Sequence, residues 1–426
     1  MALLLPILIA FSVLVLFSIL KKLQSIRKAN YYGSKIPGPP GHWLTGNMSM
    51  FQNETSHGLI KMMQEEARKA RDQGYSVIRF LLPGQLLVYP ITGKATAKIL
   101  ESTTELHKGE GYEFFGPWIG GGLLVSVGER WKAHRKLITP SFHFAKLEGY
   151  FDVFNQESKI LVDCLEKFSE NGETVNLHPY INRCTLDVIC ETAMGTKVNA
   201  QFNHEHPYLQ AVEGYTAMMI IAERKAALES GEAEKSTSKR SMNFLDLLLS
   251  KTESNVFTEE DLRQEVDTFM FGGHDTTTTS CSWSCWNLAH NPDVQQKVYE
   301  ELVKVCGDDP NGDISYEQAN QLNYLDRVLR ESKRIIAPVP AVERQLQNEM
   351  EIECAKRHPY DFVPFSAGVK NCIGQKFSIL NEKVMVAHLV RNYRIEPMLK
   401  FDESLPCFEA VSKPSRGIPV KLIRRI

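Results

Sequence analysis

One loop near the end of the chain places the strongest constraint on its fold. Gly368 and Gly374 flank a cysteine, Cys372, and apolar residues then recur at helical spacing over residues 375–389. A cysteine just before a helix lies near backbone amides and the positive end of the helix dipole, which favour a thiolate. Glycines allow the backbone to pass close to a flat partner. The alternative is an ordinary buried cysteine in a loop.

A single thiolate limits which metal the loop can hold. Neither a histidine nor a second cysteine stands beside Cys372, whereas zinc sites use four ligands. Haem iron accepts one thiolate as its only protein ligand, so the loop is suited to haem. Lys370 stands two residues earlier and can meet an anionic group.

The N-terminus carries a second strong signal. Residues 2–20 are almost wholly apolar and, as a helix, would be roughly 28 Å long, about one bilayer core. Basic residues follow this run and none precedes it, which places the rest of the chain in the cytosol. These residues are Lys21, Lys22, Arg27 and Lys28. A cleaved signal peptide is the alternative, but a basic leading region and a clear cleavage site are lacking.

Composition narrows the class of protein. The 426 residues can bury one large core or two ordinary ones, and the hydrophobic content of 43% is that of a globular protein. The formal net charge of −2 gives no reason to expect nucleic-acid binding. The nine cysteines are odd in number and scattered, which favours a reducing compartment over a disulfide framework.

A long helix is predicted over residues 259–289, where Thr258 and Asp261 form a capping box at its start. Its middle contains two glycines and four consecutive threonines, which are poor helix formers. Such a weak point indicates a kink, a close ligand or a local opening of the hydrogen-bond ladder. Asp275 and Thr276 supply an acid and a hydroxyl for proton delivery. A polar kink without chemistry is the alternative.

Periodicity and turn residues predict the other elements. Trp131 and Arg135 lie four apart, so they share one face of a helix that begins at Gly128; a solvated basic helix is the alternative. Asn291 and Pro292 are expected to cap and start a further helix. The remaining expectations are a proline-rich hinge at 35–41, a helix at 57–74, a hairpin at 75–89 that joins a small sheet, helices at 145–195, 205–221 and 324–334, and a solvated charged stretch up to residue 240.

These motifs stand in the order found in the cytochrome P-450 monooxygenases, which the chain resembles, most closely in their fatty-acid ω-hydroxylase branch. The resemblance implies a mainly α fold with a small β region behind one N-terminal transmembrane helix. The domains are then a membrane anchor at 1–20, a basic and Pro/Gly-rich hinge at 21–41 and a haem-thiolate catalytic domain at 42–426.

The resemblance also assigns roles to residues. Cys372 is implied as the axial ligand of haem b, within a loop that also includes Phe365, Gly368 and Gly374. The haem propionates are then held by Trp131, Arg135 and Lys370. Gly273, Asp275 and Thr276 match the oxygen-activating helix. Glu331 and Arg334 match a structural pair that is buried in the family.

The implied function is hydroxylation of an apolar substrate such as a fatty acid, with O₂ and electrons from a partner. A dinucleotide-binding fingerprint is lacking, so the implied electron donor is NADPH–P-450 reductase, alone or with cytochrome b5. The implied location is the endoplasmic reticulum membrane, with the catalytic domain in the cytosol.

The chain departs from the family in three places. Gly272 stands where many members of the branch carry a glutamate that esterifies the haem, so a covalent link is not expected. The stretch between Arg334 and Phe365 is too short for the family's strands, meander and third triad residue. Residues 221 and 222 join segments that are normally separate. Internal deletions are therefore predicted near 221–222 and 353–354, and a catalytically dead or unstable remnant, or a binding partner, is the alternative function.

Overall fold

The protein is described here by a computed structural model that covers residues 4–52, 54–202, 216–231, 243–254, 256–348, 350, 358–407 and 409–425. The chain divides into two compact units. The first comprises Met1–Thr103, Asn348–Val363 and Ala367–Val369, and the second comprises Thr104–Gln347, Pro364–Ser366 and Lys370–Ile426.

The first unit holds an apolar helix and a hairpin. Strands β1 and β2 pair antiparallel around Pro83 and Gly84, and Gly84 adopts a φ of +80° that favours glycine. The predicted hairpin is confirmed, but within the described residues it forms a two-stranded sheet without the expected further strands. Residues Ile7–Gly33 are long and apolar enough to cross a membrane. The elements are α1 (Leu4–Gly33), α2 (Met48–Phe51), α3 (Ser56–Asp72), β1 (Val77–Leu82), β2 (Gln85–Pro90) and α4 (Gly93–Leu100).

The second unit is mainly helical, and the predicted fold class of helices with a small β region is confirmed. Strands β3, β5 and β4 form an antiparallel sheet in that order. The helices are α5 (Gly116–Ile119), α6 (Gly128–Ile138), α7 (Phe144–Glu148), α8 (Phe151–Asn171), α9 (Leu177–Ile189), α10 (Thr216–Glu229), α11 (Phe244–Glu253), α12 (Glu259–Ala289), α13 (Pro292–Cys306), α14 (Tyr316–Gln321), α15 (Asn323–Ile335) and α16 (Gln375–Asn392), and the strands are β3 (Thr174–Asn176), β4 (Tyr393–Pro397) and β5 (Pro419–Arg424).

Helix α12 lies at the centre of the second unit and has the predicted bounds and the predicted capping box. Helices α9 and α16 pack along it. Its C-terminal half is buried on all sides, including Trp283 and Trp286, as a helix in the middle of a core must be. Helix α16 begins directly after the cysteine loop and is also almost wholly buried. The core therefore fixes the helix that carries Gly273, Asp275 and Thr276, and also the helix that follows the cysteine loop.

One local expectation held in part and one was wrong. The charged stretch after residue 222 is helical up to Glu229 and mostly exposed up to residue 231, as expected, except that Arg224 is buried and pairs bidentately with Asp246 at 2.7 Å. Residues 232–240 of this stretch lie outside the described part of the chain. The side chain of Asn291 does not cap α13. Its side-chain amide donates to the Asn287 carbonyl at 2.7 Å instead. Of the helix predicted at 205–221, residues 205–215 lie outside the described part of the chain, and 216–221 are helical.

Candidate functional site

The cysteine loop has the predicted form. Its ends are tied by a hydrogen bond from the Cys372 amide to the Phe365 carbonyl at 2.9 Å. The loop runs directly into α16 at Gln375. The Cys372 side chain is exposed, and the surface that it exposes lines a cavity of about 550 Å³. This volume is in the range of small-molecule and cofactor sites, about 300–1,000 Å³.

Opposing effects act on the pKa of the Cys372 thiol. Burial raises its pKa, whereas a hydrogen bond from the Gly374 amide and the charge of Arg135 lower it. The predicted stabilisation of a thiolate by the helix start is therefore present but smaller than the cost of desolvation. A cation bound at the sulfur would reverse this balance, because a coordinating thiol is deprotonated outright. The site is thus suited to a thiolate that forms when metal binds.

Gly368 has a different role from the predicted one. Its φ is +69°, and a Cβ at this position would lie 1.8 Å from the Leu100 carbonyl oxygen within the first unit. We expected it to let the backbone pass close to a flat partner, but the close approach that requires glycine here is to another part of the chain. Gly374 and Phe365 do line the cavity, as predicted.

The two glycines of α12 differ in what they face. Both line the cavity, but around the position of a Cβ on Gly272 there is open space to 4 Å. A Cβ on Gly273 would lie 2.6 Å from Cδ1 of Ile189. We predicted that Gly273 makes room for a ligand; it lines the cavity, and the Cβ that it lacks would also meet α9, whereas Gly272 leaves the helix surface open.

The predicted acid, Asp275, and the predicted hydroxyl, that of Thr276, have different surroundings. The Thr276 hydroxyl lines the cavity and donates to the Gly272 carbonyl at 2.6 Å. Thr278 and Thr279 likewise bond back to carbonyls four residues earlier, so the helix continues without the expected interruption. Asp275 is not among the residues that line the cavity and lies 3.5 Å from the Nζ of Lys413.

The three predicted anion contacts are brought together at the cavity. Trp131 and Arg135 both point from α6 to its wall. Arg135 donates to the carbonyl and side-chain oxygens of Asn371 at 2.8 and 2.9 Å. Lys370 donates to the Ser126 carbonyl at 2.7 Å and lies 5.1 Å from the centre of a Trp131 ring.

Three further cations line the same cavity and were missed from the sequence. They are Lys108, Arg344 and Lys333, the last of which pairs with Glu382. Desolvation, Arg344 and Lys370 lower the pKa of Lys108 to about 7, partly offset by Glu343. Desolvation and Arg344 lower the pKa of Lys370 to about 8. These depressed values mean that the cluster favours an anionic ligand, so its chemistry fits haem propionates. These basic residues are isolated in the sequence, so no pattern there indicated that they meet at one cavity.

The predicted pair of Glu331 and Arg334 forms but is not buried. The guanidinium donates to both carboxylate oxygens, at 2.6 and 2.7 Å, and lowers the pKa of Glu331. The Arg334 and Glu331 side chains are 62% and 53% exposed, whereas the resemblance implied burial. The physical reason is that none of the described residues between α15 and Phe365 covers this pair.

Apolar side chains form much of the remaining wall. Phe271 on α12 lies 5.6 Å from Phe115 and 5.0 Å from Trp118, ring centre to ring centre. Phe114, Leu123, Leu124, Val339 and Val342 also line the cavity. Such a wall accepts a large apolar ligand and disfavours strongly polar ones.

Comparison with known proteins gives one matching family model and several similar proteins. The family model described as cytochrome P450 matches residues 36–224, 216–354 and 353–422. Cytochrome P450 4c3 of Drosophila melanogaster is 31% identical over 487 residues, which covers 92% of this chain and 90% of that protein. Cytochrome P450 4V2 of Homo sapiens is 35% identical over 413 residues, which covers 77% of this chain and 78% of that protein.

The alignment lengths carry a second finding. The match to cytochrome P450 4c3 spans 487 positions, more than the 426 residues of the whole chain, so this chain has gaps relative to that protein. The three matched pieces of the family model adjoin or overlap at 216–224 and at 353–354.

Proposed function

The chain belongs to the cytochrome P450 family, in the branch typified by fatty-acid ω-hydroxylases, and on that premise we propose that it hydroxylates a long apolar substrate such as a fatty acid. The family consists of haem-dependent monooxygenases, which are oxidoreductases with haem b on a cysteine thiolate. The observation that carries the proposal is one cavity lined by Cys372, by the open backbone at Gly272 and by a group of cations.

Cys372 would ligate the haem iron. The propionates would be held by Arg135 and Lys370 with Trp131, and by the newly found Lys108 and Arg344. When bound, haem b supplies the iron at which O₂ is reduced and activated, and its thiolate ligand favours cleavage of the O–O bond. Gly272 has no carboxylate to offer, so the haem would be held without a covalent link.

Protons would reach the cavity through α12. Lys413 is 45% exposed and pairs with Asp275, so this carboxylate stands between solvent and the helix. Thr276, the next residue, presents a hydroxyl to the cavity. The Thr276 hydroxyl holds a proton that it now donates to Gly272 and that rotation would present to the cavity.

The electron donor would be NADPH–P-450 reductase, alone or with cytochrome b5. The apolar helix α1 would anchor the protein as a single span in the endoplasmic reticulum membrane, with the catalytic domain in the cytosol. Support for this comes from the apolar length of Ile7–Gly33 and from basic residues on its C-terminal side alone.

Two internal segments would be missing, near 221–222 and 353–354. The overlapping ends of the family-model matches support these positions. So do the exposed pair of Glu331 and Arg334 and the hairpin, which pairs with no further strand among the described residues. A second candidate function follows from the same observations, namely a folded but inactive P450 or binding partner.

The deciding experiment is a reduced, carbon monoxide-bound difference spectrum of the full chain in membranes. A Soret band at the thiolate-ligated position, lost in Cys372→Ala, is the expected result, and fatty acids would then be screened as substrates. A band of the thiol- or nitrogen-ligated form, or none in a protein that resists mild proteolysis, would favour the inactive role. Retained partner binding by Cys372→Ala would favour it further.

A further inference from the structure

The C-terminal end of α1 has two unlike faces. Ile26, Ala29 and Gly33, spaced three and four residues apart, are buried on one face. Gly33 approaches the hairpin so closely that a Cβ there would lie 2.9 Å from Cδ2 of Leu81. This face is therefore packed within the first unit.

Hydrogen bonds hold the helix in that orientation. The Ser25 hydroxyl donates to the Gly84 carbonyl at 2.7 Å. Arg79 on β1 donates to the Gly33 carbonyl at 2.9 Å and to the Pro39 carbonyl at 2.7 Å, which satisfies the end of the helix and fixes the hinge after it. Rolling the helix about its axis would break these contacts.

The opposite face is exposed, basic and aromatic. Its cations, which we call the basic face, are Lys21, Arg27 and Lys28, with Lys35 two residues beyond the end of the helix. Lys22 lies one turn before Ile26 on the packed side, where its Nζ is near Gly84. Among the described residues none of these cations has a carboxylate partner, and the first acidic residue of the whole chain is Glu54.

Exposed aromatic rings accompany these cations. The Nζ of Lys35 lies 4.2 Å from the centre of the Tyr31 ring, and Tyr31 is 59% exposed. Trp43 is 64% exposed, and its carbonyl accepts from the Asn30 amide at 2.6 Å. Tyrosine and tryptophan at the end of a membrane span are typical of the headgroup region.

We propose that the basic face binds the headgroups of anionic phospholipids, so that the protein gathers these lipids around its anchor. The inference rests on the membrane anchor proposed above. Helix α1 has 30 residues, roughly 45 Å at 1.5 Å per residue. A hydrocarbon core of roughly 30 Å leaves its last turns at headgroup level. There, unpaired cations held on one face meet phosphate groups, and each adds to the attraction.

The test uses the full chain, reconstituted in phosphatidylcholine vesicles that contain spin-labelled phosphatidylserine or spin-labelled phosphatidylcholine. Electron paramagnetic resonance gives the relative association constant of the two lipids. We expect a several-fold preference for phosphatidylserine that falls as salt is raised. The triple variant Arg27→Gln, Lys28→Gln, Lys35→Gln should lose most of this preference. Each removed cation should lower the relative association constant for phosphatidylserine by up to about fivefold. Lys21 and Lys22 stay in place so that the positive flank still sets the orientation.

A matched control removes three exposed cations elsewhere in the first unit, through Lys61→Gln, Arg68→Gln and Lys98→Gln. This control should keep the preference for phosphatidylserine. Equal preference in all three proteins, or a preference that salt does not change, would overturn the inference while leaving the anchor intact. Alkaline extraction of the chain from the vesicles would overturn the anchor itself, and the inference with it.

Discussion

Glu331 and Arg334 form a bidentate ion pair in which both side chains are more than half exposed. The resemblance implied a buried pair, whereas here both side chains face solvent. A contrasting pair lies nearby in the core, where Lys333 contacts Glu382 and both side chains are almost fully buried. Ser280 and Ser284 donate to the same carboxylate at 2.7 and 3.0 Å.

We therefore expect Glu331→Gln to lower the free energy of unfolding by less than about 1 kcal/mol, because solvent screens exposed pairs. Glu382→Gln should cost about 3–5 kcal/mol, because it leaves the Lys333 charge buried without a partner. Chemical denaturation of the purified chain measures both. Equal losses in the two variants would mean that Glu331 is covered in solution.

Proton delivery provides a second prediction. Thr276→Ala removes the hydroxyl that lines the cavity, so more reducing equivalents should end in peroxide and fewer in product. The ratio of peroxide to hydroxylated product, measured at a fixed concentration of reductase, reports this coupling. Thr276→Ser keeps a hydroxyl and should behave close to the parent protein. Unchanged coupling in Thr276→Ala would remove Thr276 from the relay.

Much of this arrangement was predictable from local sequence. The bounds of α12, its capping box, the hairpin turn and the helix after Cys372 all follow from short-range signals, namely a cap, a turn dipeptide and helical periodicity. Tertiary packing was not predictable in this way. The difference between Gly272 and Gly273 depends on Ile189, which lies more than eighty residues away along the chain.

The missed cations have the same explanation. Lys108 and Arg344 are far apart in sequence and converge because the chain folds back, and neither stands in a recognisable motif. The error about Glu331 and Arg334 has the opposite cause. Their spacing predicted the contact correctly, but burial depends on the chain that covers them, which is short here.

A third prediction concerns pH. The pKa of Lys108 is lowered to about 7 and that of Lys370 to about 8. An anionic propionate favours the protonated lysines and raises these pKa values, so both lysines take up protons when haem binds. Ligation removes the proton of Cys372, whose pKa is raised, so this group releases a proton and opposes the lysines. The contribution of the lysines to haem affinity should be constant below pH 7 and be lost as the pH rises above it, and comparison with a lysine variant separates it from the contribution of Cys372.

The rate of haem transfer to an excess of an apo-haem acceptor protein, followed between pH 6 and 9, measures this dependence. Lys108→Met should lose haem faster than the parent protein at pH 6, where the parent lysine is charged, and the ratio of the two rates should fall towards one as the pH rises to 9. Lys132→Met removes an exposed lysine of the same helix that carries Arg135 and serves as the control. A ratio that stays constant from pH 6 to 9 would contradict the role of Lys108.

The glycines of α12 give the last prediction, since they are adjacent in sequence and unlike in surroundings. Alanine is the better helix former by about 1 kcal/mol, so Gly272→Ala, whose Cβ enters open space, should raise the free energy of unfolding. Gly273→Ala gains the same propensity but places its Cβ 2.6 Å from Cδ1 of Ile189. Overpacking of this kind costs about 1–3 kcal/mol, so the net effect should be destabilising. Gly273→Ala combined with Ile189→Val, which shortens the opposing side chain, should recover part of the loss in a denaturation experiment. If Gly273→Ala were as stable as Gly272→Ala, α9 would not pack against α12 at this point.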